Sequence, residues 1–218
     1  MSLQLFGHPF SSYTWKVLIA LWADGTPFDF RMIDPDHPEN GEELKQHWPF
    51  GLFPLLLDDG VAVIESSCII EHLQAKHPGP NQWIPGGEAG LRVRFLDRFF
   101  DQYVMSNMQV PVSDMLRPSE HRDPFGVTRA RERLLTAYEW LEANLGPGEW
   151  ATGDEFTLAD CAAAPSLFYA DWVEQIGPSR PRLAAYRARL LSHPTVKRAV
   201  DEARPYRSYF PLGAPDRD

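Results

Sequence analysis

Residues 78–90 hold three prolines and four glycines, and the hydrophobic period differs on the two sides of this stretch. Ahead of it, apolar runs suited to strands alternate with runs of helical period; behind it only the helical period continues. A chain written this way cannot form one uniform sheet or one uniform bundle. It predicts an α/β unit over residues 1–78, a linker over 79–90 and an all-helical unit over 91–218.

Residues 3–6 form an apolar strand candidate, and a helical pattern begins near Ser12 with Val17, Leu18, Leu21 and Trp22, broken by Asp24-Gly25. Residues 27–33 set Phe28, Phe30 and Met32 against Asp29 and Arg31, as a half-buried strand does. A polar segment over 41–48 suits a short irregular helix. Leu55-Leu56-Leu57, the turn Asp58-Asp59-Gly60, and 61–64 then spell a hairpin. Glu65-Ser66-Ser67 opens a helix that ends near His77-Pro78-Gly79. The order is β-α-β, a variable stretch, then β-β-α.

Beyond the linker, Phe95, Phe99 and Tyr103 run beside Leu96, Phe100 and Val104 as two i, i+4 rows, which predicts a wide buried face. Leu134, Tyr138, Leu141 and Leu145 repeat the pattern. Thr157-Leu158-Ala159-Asp160 has the spacing of a capping box, with Phe156 and Cys161 available as its staple. Helices are expected over 162–175, 181–191 and 194–203, and an irregular tail after them.

A net charge of −9 argues against a nucleic-acid partner, since neutralising phosphates takes clustered Lys and Arg. The absence of a long apolar run or a basic leader predicts a cytoplasmic protein with no membrane partner. Cys68 and Cys161 match no metal or CxxC spacing and read as small core residues. The seven histidines contain no HExxH, and neither a phosphate loop nor a GxSxG elbow occurs, so no metal is expected.

Ser11-Ser12-Tyr13-Thr14-Trp15-Lys16-Val17, Phe53-Pro54-Leu55, Glu65-Ser66 and Gly153-Asp154 with Thr157–Asp160 occur in that order along the chain. The whole arrangement resembles the cytosolic glutathione transferases: a thioredoxin-like α/β N-terminal domain followed by an all-α C-terminal domain. Thioredoxins place a CxxC where the first helix begins; here that slot holds Ser11-Ser12-Tyr13-Thr14. Any thiol chemistry must therefore use a sulfur carried by a ligand, and the resemblance implies reduced glutathione as co-substrate.

A free thiol with a pKa near 8.5 is only about 3% thiolate at pH 7; lowering the pKa by about two units makes it roughly three-quarters thiolate, for about 2.7 kcal/mol. One hydrogen bond to a charged group contributes about 1.5–3 kcal/mol and a helix N-terminus about 0.3–2, so a hydroxyl at a helix start suffices. Read as residues alone, Ser11 or Ser12 can equally be a helix cap, and Ser12 and Tyr13 are nearby rivals for the thiol. The resemblance points to Ser11 as the catalytic residue, and the run is similar to the zeta class except that Tyr13 replaces a cysteine.

For glutathione the resemblance also implies Phe53 and Pro54, joined by a cis bond where trans is the usual state, and Glu65 with Ser66. The last pair offers a carboxylate to an ammonium group and a hydroxyl with helix-start amides to a carboxylate; alone it reads as an exposed Glu beside a capping Ser. Leu52 departs from the family pattern, because it cannot donate a side-chain hydrogen bond. An electrophile pocket is expected between the domains, with Pro9 and Phe10 on one side and Tyr103 and Met108 on the other. The implied activity is a glutathione transferase acting on a small hydrophobic electrophile, as a homodimer. A zeta-type glutathione-dependent cis-trans isomerase and a non-catalytic scaffold of the same fold are the alternatives.

Overall fold

A computed structural model describes residues 2–218. Its sheet has four strands in the order β2-β1-β3-β4: β1 (Leu3–Gly7), β2 (Asp29–Met32), β3 (Leu55–Asp58) and β4 (Val61–Ile64). β1 runs parallel to β2 and antiparallel to β3, and β3 is antiparallel to β4. Asp59 and Gly60 both take positive φ, 47° and 85°, which matches the right-handed twist of a two-residue hairpin.

The pleat sorts the side chains between two layers. Leu3, Leu5 and Leu56 point to the face covered by α1 (Ser12–Ala23) and α3 (Ser66–Lys76), among Val17, Leu18, Leu21, Ile69 and Leu73. Phe6, Leu55 and Leu57 point to the other face, with Leu44 of α2 (Pro38–His47) and Trp48. The segment expected to be a short irregular helix is thus a regular helix that starts earlier, at Pro38, whose fixed φ suits a first turn.

The second unit comprises α4 (Gly87–Phe99), a π-helical segment Phe100–Met105, α5 (Ser106–Met115), α6 (Pro124–Asn144), α7 (Leu158–Val173), α8 (Pro181–Ser192) and α9 (Pro194–Ala203). Every residue of α7 is buried, so it is the axis around which the others pack. Its N-terminus is a capping box: Asp160 accepts from the Thr157 amide at 2.9 Å, and also from the Ala151 amide at 2.8 Å and the Tyr186 hydroxyl at 2.7 Å. Trp15 and Ile19 of α1 belong to the same apolar cluster as α7, so the two units share one core.

Four expectations are corrected. The Pro/Gly-rich stretch is packed rather than loose: Trp83 is buried and donates to Asp24 at 2.8 Å, Gln74 pairs with the Ile84 backbone in both directions, and α4 already begins at Gly87. Of the two rows near residue 100, Leu96, Phe100 and Val104 are buried, whereas Phe95 and Tyr103 are 44% and 55% exposed and only Phe99 between them is covered. The tail is ordered as a 3-10 turn, Arg204–Tyr209, with Phe210 against Trp172 and Arg217 bonded to Asp171. Cys68 is exposed on α3 rather than in the core; Cys161 is buried. No helix among the described residues is long and apolar enough to cross a membrane.

Candidate active site

β1 ends at Gly7, where an added Cβ would lie 2.6 Å from a Thr14 methyl, so only glycine lets α1 start this close to the strand. The chain turns through His8, Pro9 and Phe10, and the Ser11 amide donates to the His8 carbonyl at 2.9 Å. Ser11 is the N-cap of α1, extended at φ −87°, and its Oγ accepts from the Thr14 amide at 3.3 Å. Capping uses a lone pair and leaves the hydroxyl proton available. The incoming amide also polarises the O–H toward better donation, so a capping Ser11 and a donating Ser11 are the same residue in the same rotamer.

Ser11 lines a cavity of about 390 Å³ with His8, Phe10, Ile33, Phe53, Tyr206 and Tyr209. The Phe10 amide donates to His8 Nδ1 at 3.0 Å, which fixes the neutral ring with its proton on Nε2. Burial pushes the His8 pKa down, against the pull of Asp34. Tyr206 meets the His8 ring edge-on at 4.6 Å, so one wall of the cavity beside the hydroxyl is aromatic, while Asp34 and Asp36 make another wall acidic.

A second cavity of about 400 Å³ adjoins at Phe53, which lines both; its other walls include Tyr13, Leu52, Pro54, Glu65, Ser66 and Asp101. The Phe53–Pro54 bond is cis. Phe53 precedes β3, so its backbone lies outside the sheet ladder. Glu65 caps no amide of α3 with its side chain and takes φ +71°, a conformation L residues rarely adopt. Its carboxylate is exposed, and the α3 N-terminal amides beyond it lack a carboxylate in the first turn. An anion at those amides and a cation at Glu65 and Asp101 are what this cavity can hold. Leu52 is 63% exposed on its rim and brings no donor.

Behind this cavity lies a charged cluster that spans both units. Lys16 of α1 is buried, with Nζ 2.5 Å from Asp97, 2.7 Å from Asp101 and 2.9 Å from Ser67 Oγ; Ser67 donates in turn to Asp97 at 2.9 Å. Burial opposes the Lys16 charge, but the carboxylates of Asp101 and Asp97 outweigh it and hold its pKa above the ordinary value. Burial raises the Asp101 pKa, and Lys16 works against that rise. Tyr13 is pushed up to about 12 by burial first and then by Asp101, Glu65 and Asp97, so its phenol stays protonated.

Of the residues expected at the site, Ser11 and Phe10 line the first cavity, Pro54, Glu65 and Ser66 the second, and Phe53 both. Ser12 is the first helical residue and lines neither. Three electrophile-side expectations are corrected. Pro9 is buried behind Phe10, its carbonyl accepting from Trp15 Nε1. Met108 is in the core at 2% exposure, and Tyr103 points to the outer surface, stacked on Phe99 at 5.1 Å. In their place stand Tyr206 and Tyr209, from the 3-10 turn after α9, and His8, directly after β1.

Two family models match the chain: "Glutathione S-transferase, N-terminal domain" over residues 5–81 and "Glutathione S-transferase, C-terminal domain" over residues 124–189. Glutathione S-transferase 1 of Dianthus caryophyllus is 30% identical over 173 residues, covering 76% of each chain. The stringent starvation protein A homolog of Coxiella burnetii is 26% identical over 189 residues, covering 87% of this chain and 86% of the other. A glutathione S-transferase from Methylobacterium radiotolerans, solved in complex with glutathione sulfonate, superposes with a TM-score of 0.78 at 27% identity, over 92% of this chain and 95% of that one.

Proposed function

The chain belongs to the glutathione S-transferase family, and from that premise we propose that it binds reduced glutathione across the two adjoining cavities and delivers its thiolate to a small hydrophobic electrophile. The observation that carries this reading is the continuity of the site: a hydroxyl with an uncommitted proton on one side of Phe53, and an acid beside helix-start amides on the other. The γ-glutamyl ammonium pairs with Glu65 and Asp101, and its carboxylate with Ser66 and the α3 amides. The backbone of Phe53 pairs with the cysteinyl residue, and the sulfur then reaches Ser11.

Ser11 donates to the thiolate and, with the α1 N-terminus, lowers the pKa of the thiol. The thiolate attacks an electrophilic carbon, a carbon–sulfur bond forms, and the leaving group departs with its electron pair. The aromatic wall of Phe10, Tyr206 and Tyr209 suits the apolar part of an electrophile, and Asp34 and Asp36 across the same cavity disfavour an anionic one. The protein supplies position and electrostatics; the nucleophile belongs to the ligand.

The chain is further read as a homodimer, supported by the exposed apolar surface of Phe95, Tyr103 and Val110 around Trp140 and by exposed Phe50 and Leu52 on the first unit. A non-catalytic scaffold of the same fold is the second reading, favoured by Leu52, which takes the place of a ligand-donating side chain. Calorimetric titration with glutathione separates them. Saturable heat, with turnover of a model electrophile that Ser11→Ala removes, supports the transferase; no heat at millimolar ligand supports the scaffold. If thiol content stays constant while a conjugated alkene isomerises, the chemistry is isomerisation rather than conjugation.

A further inference from the structure

At the C-terminal end of β3, an interior strand, Asp58 receives two imidazoles on one oxygen. His72 Nε2 and His77 Nε2 each lie 2.7 Å from Asp58 Oδ2, and the three ligand atoms fall within 4.8 Å of one another. Each of the three side chains is partly buried, 14–23% exposed, so the cluster is accessible yet held in place. Its chemistry is two neutral nitrogen donors and one carboxylate, the donor set that first-row divalent ions such as Zn²⁺ take from proteins.

The histidines are five residues apart, a separation that puts side chains on different faces of a regular helix. Here α3 stops at Lys76, and His77 leaves helical geometry at φ −131°, ψ 55°, with its amide still bonded to the Leu73 carbonyl at 2.8 Å. That departure swings the second ring back toward the first, to a centroid separation of 6.1 Å. The site is therefore invisible to spacing rules, and the expectation of no metal rested on those rules.

We propose that Asp58, His72 and His77 form a binding site for one divalent transition-metal ion of the zinc type, the remaining coordination positions being filled by water. With metal–ligand bonds of about 2.0–2.1 Å, neighbouring ligand atoms in a tetrahedral site stand roughly 3.3 Å apart. The two nitrogens therefore retreat from Asp58 by about half an ångström, within the reach of side-chain rotation. Hard cations that prefer all-oxygen shells, Mg²⁺ and Ca²⁺, are poor occupants. A bound ion would tie the end of β3 to the end of α3 farthest from Glu65 and Ser66, bracing the helix whose other terminus forms the ligand cavity.

Equilibrium dialysis of tag-free protein against Zn²⁺ tests this. One equivalent binds to the wild-type chain, and Asp58→Asn, His72→Gln and His77→Gln each weaken binding by at least about tenfold, the size of effect seen even for outer-sphere partners. His121→Gln, far from the cluster in sequence, leaves binding unchanged. Zn²⁺ raises the thermal midpoint of the wild-type chain and not of the three variants. Cobalt(II) bound to the wild-type chain provides a readout independent of mutant folding, with ligand-field bands and no sulfur-to-metal charge transfer. Absence of stoichiometric zinc binding, binding indifferent to all three substitutions, or a thiolate charge-transfer band assigning the ion to Cys68 overturns the proposal.

Discussion

Glu65 occupies φ +71°, ψ 122° at the entrance to α3. A non-glycine residue there stores about 1–3 kcal/mol, and the surrounding hairpin and helix hold it in place so that the carboxylate faces the cavity. Two substitutions separate backbone from charge. Glu65→Gly relieves the strain at the cost of about 0.5–1 kcal/mol of chain entropy, so unfolding in urea shows stability unchanged or raised by about 1 kcal/mol, while the KM for glutathione rises about tenfold or more. Glu65→Gln raises KM similarly and leaves stability unchanged; if neither moves KM, the carboxylate does not bind the ligand. Ser11, Phe53, Pro54, Glu65 and Ser66 were reached only through the family resemblance, because read as residues alone they spell a helix cap, a Pro at a strand start and an exposed Glu beside a capping Ser. Tyr206, Tyr209 and Asp101 were not reached at all, because they enter the cavities from segments far along the chain. Tyr103 and Met108 failed for a related reason: an i, i+4 row states which residues share a face, not what that face meets.

Among the helices, α1 is joined to α4 and the π-helical segment by one buried cation and two carboxylates. Removing one member of a buried pair strands the other, at a cost of about 3–5 kcal/mol. Lys16→Met is expected to lose stability in that range, measured by urea unfolding at fixed protomer concentration, and adding Asp97→Asn to recover part of it. A loss below about 1 kcal/mol would mean the cluster is solvated and does not fix the two units. Helix starts were legible from chemistry where Pro181 and Pro194 stand in first turns and where Thr157 with Asp160 forms the capping box; the start of α6 at Pro124 was not read. The π-helical segment at Phe100–Met105 was not legible. There the Ser106 amide and hydroxyl both bond to the Asp101 carbonyl, a five-residue step that a 3.6-residue pattern does not encode.

In the molecule as a whole, the change of hydrophobic period foretold a four-stranded sheet with helices followed by a helical bundle. The packed state of the Pro/Gly-rich connection was hidden, because its anchors, Asp24 and Gln74, are polar residues whose partners lie 10–59 positions away. Exposed Phe95 and Tyr103 beside half-buried Trp140 make a prediction about assembly. Phe95→Asp with Tyr103→Asp shifts sedimentation from dimer to monomer with the circular dichroism of the fold retained; a wild-type chain that sediments as a monomer contradicts it. The most direct test is a pH titration of the thiolate absorbance of glutathione bound to the intact protein, for wild type and Ser11→Ala. The bound thiol is predicted to titrate about two units below a free thiol in the wild type and to move back up in the variant. Identical titration curves for the two proteins would contradict the assignment of Ser11.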